Sequence, residues 1–165
     1  HQIMDHASHL SYESPPPFSA HFCELEVDVE TGKVTLLQYV AAVDCGVAIH
    51  LLGAEGQTEG GACTSMGWGL SEEYLFDANG KMQNASFGGY KMFSSLDMPP
   101  FQTFIVPTYE PTGPFGAKSV SEIPCDGPAP CIANAVYDAT GLRFREIPLT
   151  PERVWRAWQA KQRDM

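Results

Sequence analysis

Between Leu51 and Leu70, six glycines (Gly53, Gly56, Gly60, Gly61, Gly67 and Gly69) stand among residues that otherwise favour a helix. An interior glycine costs a helix about 1 kcal/mol relative to alanine, so six of them need a structural reason such as very close packing. On a helix, Gln57, Gly60, Gly61 and Thr64 share one face, and that face is small and polar. Such a face suits a second helix at short range or a bulky ligand lying across it. The fold must bring something large against it.

The flanking segments predict an α+β domain. From His21 the chain alternates, with Cys23, Leu25, Val27 and Val29 on one side and Phe22, Glu24, Glu26 and Asp28 on the other, as a half-buried strand does. Glu30-Thr31-Gly32-Lys33 supplies a turn, and the β-branched, apolar run Val34 to Val43 completes a β-hairpin. Residues 72–112 read as short strands and loops: Asp77-Ala-Asn-Gly80 is a turn, Phe101 to Tyr109 a strand, and Met92 and Met98 core fillers. Pro128 to Thr140 is an amphipathic helix stopped by Gly141. Thr150-Pro151-Glu152 opens a last helix, whose Trp155 and Trp158 are expected to dock on the domain's own core. Residues 1–19, with Pro15, Pro16 and Pro17, form an extended entry arm or linker ahead of a region spanning 20–165.

Composition narrows the function. Twenty acidic residues against ten basic ones give a net charge of −10, which excludes a phosphate-backbone or anionic-membrane partner. The longest apolar stretch, Tyr39 to Ala54, is too short for a bilayer and carries Asp44 and His50. Five cysteines with no C-x-x-C spacing fit a reducing cytoplasm and write no disulfide framework, zinc site or iron–sulfur site, and no residue is assigned as a metal ligand. The chain opens at His1 with no signal-peptide pattern, as expected of a cut piece, a processed subunit, or a chain whose first residues are not included. One carboxylate stands out. Glu122 lies in the run Gly113-Pro-Phe-Gly-Ala-Lys-Ser-Val-Ser-Glu-Ile-Pro124, where small and turn-forming residues let backbone approach a bound group, so it is a candidate base or else a turn cap. His21 and Asp44 also form a conceivable catalytic pair, alone or with Glu122 as a hydrolase site, but single residues at strand ends are usually bonded locally.

Taken in order, Pro-Pro-Phe-Ser-Ala-His-Phe-Cys-Glu-Leu-Glu-Val-Asp (16–28), Val-Asp-Cys-Gly (43–46), Ala-Glu-Gly-Gln-Thr-Glu-Gly-Gly (54–61), Gly-Ala-Lys-Ser-Val-Ser-Glu (116–122) and the helix around Ile132 to Thr140 resemble the C-terminal part of the molybdenum-binding subunit of the xanthine dehydrogenase and aldehyde oxidase family. Within that family the chain is most similar to purine-hydroxylating members. The resemblance implies that 20–165 is part of a larger, two-lobed molybdenum-binding domain. It implies that Glu122 is the active-site glutamate, taking a proton from a metal-bound hydroxyl whose oxygen attacks a heteroaromatic or aldehyde carbon while hydride passes to a sulfido ligand. It further implies that Gln57 hydrogen-bonds the pterin and that Ser119, Val120 and Ser121 line it. The cofactor would be molybdenum held by molybdopterin or its cytosine dinucleotide, with iron–sulfur clusters and FAD on other domains or subunits, so the chain would not turn over alone.

Two departures bear on this. Serines stand at 119 and 121 where the family commonly has glycine, and His50-Leu51 follows where it often has Asn-Pro. A non-catalytic binding or assembly module that retains the fold is the alternative reading.

Overall fold

The computed structural model describes residues 3–163 apart from 9 and 11. A hairpin comes first, with β1 (Phe18–Val27) antiparallel to β2 (Val34–Asp44). Asp28 builds the turn: its carboxylate accepts the Glu30 amide at 2.9 Å and the Thr31 hydroxyl at 2.7 Å. Gly32 has φ +78°, and a Cβ there would sit 2.0 Å from the Pro151 carbonyl oxygen, so the turn also serves as a close seat for the last helix.

The hairpin is not a plain ladder. Glu24 pairs with Gln38 but Leu25 pairs with Leu36, leaving an extra residue in β2. Leu37 and Gln38 are both exposed, and the side-chain phase reverses across them. Tyr39, Ala41 and Val43 beyond the bulge and Leu36 before it therefore all reach the interior.

After β2 come α1 (Leu51–Leu70), β3 (Phe101–Ile105), a 3₁₀ turn at Pro114–Gly116, α2 (Ile123–Asp126), α3 (Pro128–Thr140) and α4 (Pro151–Arg163). β3 adds in parallel beside β2, giving the order β1-β2-β3 in a mixed sheet. It stops at Ile105, short of the expected Tyr109, and the Val106 amide turns back to the Val43 carbonyl just before Pro107. Helices cover one sheet face. The core there comprises Leu36, Tyr39 and Ala41 from β2, Ala62 and Met66 from α1, Ile132 and Val136 from α3, Leu149, and Val154 from α4. The other sheet face leaves Phe22 and Phe104 exposed.

The glycines of α1 divide into two kinds. Added Cβ atoms at Gly61 and Gly69 would meet Pro124 and Cys125 of α2 at 3.0–3.1 Å and Ala129 of α3 at 3.4 Å, so these positions admit neighbouring helices. At Gly56 and Gly60 an added Cβ meets nothing within 4 Å. Close packing inside this chain does not account for them.

The last helix differs from expectation in one respect. Thr150 caps it through the Arg153 amide at 3.3 Å, and Val154 is the side chain that reaches the core. Trp155 is 42% exposed and Trp158 is half-buried, because 155 and 158 fall on the rim of the stripe that Val154 centres. Met98 packs on the core as expected, whereas Met92 is exposed.

Two substitutions on α1 test this division. Met66→Ala removes a fully buried side chain and should cost about 2–5 kcal/mol in denaturant unfolding. Gly60→Ala should instead raise stability by up to about 1 kcal/mol, since its methyl enters open space.

Candidate active site

The segment before Glu122 is held by a set of contacts to the end of β2. The Asp44 carboxylate accepts Lys118 Nζ at 2.6 Å, Thr108 Oγ1 at 2.5 Å and the Gly46 amide at 2.9 Å. Lys118 and Asp44 side chains are only 7% and 17% exposed, and the ammonium lies 5.1 Å from the Phe18 ring centroid. Backbone reinforces this pair: the Lys118 amide donates to the Cys45 carbonyl at 2.7 Å and the Val47 amide to the Gly116 carbonyl at 2.8 Å. Glycines make the approach possible. Gly46 has φ +70° and an added Cβ would lie 2.3 Å from Gly116 O, while one at Gly113 would lie 1.9 Å from Ala117 O. The glycines of this run thus serve contacts within the chain, and Pro114, Phe115, Ser119, Ser121 and Glu122 are left exposed.

Burial alone would raise the Asp44 carboxyl, but the hydrogen bonds from Lys118, Thr108 and Gly46 outweigh it and hold the group below the usual carboxylate range. It remains charged throughout the neutral range.

From this anchor the chain passes Ser119, Val120, Ser121 and Glu122 into α2. Val120 and Ile123 pack on a small cluster of Val43, Cys45 and Ala54, which fixes the backbone on either side of Glu122. The Glu122 carbonyl accepts the Cys125 amide at 2.8 Å. Its carboxylate is exposed and has no hydrogen-bond partner among the described residues.

Gln57 and Val120 line one cleft of about 380 Å³ between the start of α1 and the 117–120 segment. Ser119 lines a neighbouring hollow of about 300 Å³ with Thr112 and Lys118, and Ser121 is exposed. The amide of Gln57 is exposed and, like Ser119 and Ser121, finds no side-chain hydrogen bond among the described residues. Gly56 and Gly60 flank it with open space. The structure therefore brings Gln57 and Val120 to one cleft, with Ser119 in the adjoining hollow and Ser121 and Glu122 exposed on the segment that follows. This donor set fits a planar group that offers both donors and acceptors.

His21 and Asp44 are not drawn into this site. His21 Nε2 lies 3.0 Å from Ser19 Oγ and Nδ1 2.9 Å from Tyr39 OH, while Asp44 is occupied by Lys118 and Thr108. Neither has Glu122 as a partner among the hydrogen bonds of the described residues, which removes the geometric basis for a hydrolase. Two residues of the cleft escaped the sequence reading. His50 caps α1 by accepting the Gly53 amide at Nδ1, 2.8 Å away, and its only signal was its position before Leu51. Lys118 was visible as the sole cation of its run, but its partner lies 74 residues earlier.

The chain matches the model of the molybdopterin cofactor-binding domain over residues 4–99 and belongs to that family. It is 38% identical over 153 residues to a protein named Probable hypoxanthine oxidase XdhD of Escherichia coli K12, covering 92% of this chain and 16% of that protein. To the xanthine dehydrogenase molybdenum-binding subunit of Escherichia coli O157:H7 it is 36% identical over 155 residues, 93% of this chain and 21% of the relative. The fold matches crystalline Cu,Mo-CO dehydrogenase with a TM-score of 0.83 at 32% identity, over 90% of this chain and 20% of that one. The chain thus spans about one fifth or less of the length of these relatives. No helix among the described residues is long and apolar enough to cross a membrane.

Because the folded Asp44 carboxyl is depressed, its contribution to stability is complete above the ordinary aspartate range near pH 4 and is lost as pH falls through the lower folded value. Lys118→Met leaves that carboxylate without its cation and should cost about 3 kcal/mol at neutral pH. Comparing unfolding curves of the two proteins at pH 7 and pH 3 checks both statements, with the gap between them narrowing in acid.

Proposed function

We propose that this chain forms one wall of the active site of a molybdenum-dependent hydroxylase, with Glu122 as the catalytic base and Gln57, Ser119, Val120 and Ser121 as cofactor contacts. The observation that carries the reading is the convergence of Gln57 and Val120 on one cleft, two residues before an exposed carboxylate that has no partner among the described residues. The cofactor is molybdenum on molybdopterin or its cytosine dinucleotide, and when bound it supplies the electron sink and the oxygen-transfer chemistry.

The chain's own contribution is positional and protonic. Gln57 offers an N–H donor and a carbonyl acceptor to a pterin edge, and the bare surface at Gly56 and Gly60 lets the ring system lie close to α1. Ser119 and Ser121 add hydroxyls where bare backbone would otherwise face the ring. Glu122 takes up a proton derived from water at its carboxylate, and the packing of Val120 and Ile123 keeps the backbone around it from shifting.

The substrate class is an electron-poor carbon of a heteroaromatic ring, or an aldehyde. The names of the purine-oxidising relatives support a purine. Residues 1–17 serve as an entry arm, two residues shorter than expected because Phe18 and Ser19 already pair in β1, and 18–165 as the C-terminal part of a larger molybdenum-binding region. That region's remainder, together with iron–sulfur and flavin domains or subunits, completes the enzyme. Exposed Leu51, Leu52 and Trp68 on α1 fit burial against such a remainder. Five free thiols suit a reducing cytoplasm.

The test uses the whole protein that contains this chain. Glu122→Gln should lower hydroxylation about 10²- to 10⁴-fold while molybdenum and pterin contents stay unchanged. Turnover within a few-fold of the unaltered protein refutes the role of Glu122, and a complete absence of molybdenum and pterin from that protein refutes the cofactor reading. Gly60→Ala, which favours the helix, should by contrast lower pterin content.

A further inference from the structure

A second cluster of reactive groups lies where α3 crosses β1. Cys131, the fourth residue of α3, and Cys23, on the inner face of β1, hold their sulfurs 3.5 Å apart although 108 positions separate them. Cys131 Sγ also donates to the His21 carbonyl oxygen at 3.4 Å, and the Tyr39 hydroxyl lies 2.9 Å from His21 Nδ1. Both thiols are half-buried, and no hydrogen bond joins any other two cysteines among the described residues. The proposed hydroxylase chemistry uses none of these groups.

We propose that Cys23 and Cys131 form a dithiol modification site, which small-molecule disulfides convert to an internal disulfide joining β1 to the start of α3. Sulfurs in contact need only close to about 2.0 Å for the bond to form.

Cys131 is the attacking thiol. Its contact with Cys23 outweighs the effect of burial and holds the Cys131 thiol below the ordinary cysteine value. Its contact with Cys131, together with burial, pushes the Cys23 thiol up, so that it keeps its proton for the second step.

The Cys131 thiolate attacks one sulfur of the reagent, whose S–S bond breaks and releases one small thiolate. Cys23 then gives up its proton and attacks the Cys131 sulfur, expelling the second small thiolate. Two electrons pass from the protein to the reagent, and two protons end on the two released thiols. The new bond would act on an unyielding joint, since an added Cβ at Gly127, just ahead of α3, would lie 1.9 Å from the His21 ring.

The inference is independent of the assigned cofactor. The experiment incubates the whole protein with oxidised and reduced glutathione at graded ratios, blocks free thiols with N-ethylmaleimide and maps the peptides by mass. The expected result is a Cys23–Cys131 linked pair lacking two hydrogens and released by dithiothreitol. Cys23→Ser should accumulate glutathione on Cys131, whereas Cys131→Ser should leave Cys23 unmodified. Recovery of both cysteines as alkylated thiols at the most oxidising ratio overturns the proposal, as does linkage of either to a different cysteine. The unaltered protein alone decides between these outcomes if a variant fails to fold.

Discussion

The buried ion pair of Asp44 with Lys118 is the contact on which the geometry of the outward wall depends. It joins the last residue of β2 to a segment 74 residues later. Salt bridges on a protein surface contribute little. This one is sheltered, shares its carboxylate with Thr108 and the Gly46 amide, and is flanked by two backbone hydrogen bonds. Its value is directional: it sets where Ser119 to Glu122 leave the sheet, while the cluster of Val43, Cys45 and Ala54 sets how far they can move.

The periodic elements were legible in the sequence. Helix-favouring composition pointed to α1, and periodicity and end signals located α3 and the start of α4, because glycine at 141 and the Thr150-Pro151 pair are local chemistry. The hairpin was legible for the same reason, although β1 begins three residues before His21. Contacts between distant residues were not. Nothing around Asp44 announces Lys118, and nothing around Cys23 announces Cys131. The strand at Phe101 was expected to run to Tyr109, yet pairing ends at Ile105 opposite Val43, with the Val106 amide bonded to the Val43 carbonyl just before Pro107. Which tryptophan face packs inward depended on a single residue, Val154, taking the central position.

The site residues were legible only as a set. Gln57 and Glu122 gain meaning from the family resemblance, and the structure adds that Gln57 and Val120, two residues before Glu122, line one cleft. It also revises the reason for the glycines. Those at 46, 113 and 116 are required by the chain's own close contacts, whereas Gly56 and Gly60 carry no such requirement within it. The chain spans about a fifth of its relatives' length, and Leu52 on α1 is 74% exposed.

The extra residue in β2 has a further consequence for how this chain finds its fold. A regular hairpin can slip along its ladder by two residues and keep the same faces inward. Here the two halves of β2 are out of phase, so any slippage turns part of the strand inside out and drives Leu37 or Gln38 toward the interior. The irregularity thus works as a register lock, giving the strands one pairing to settle into before the distant β3 arrives.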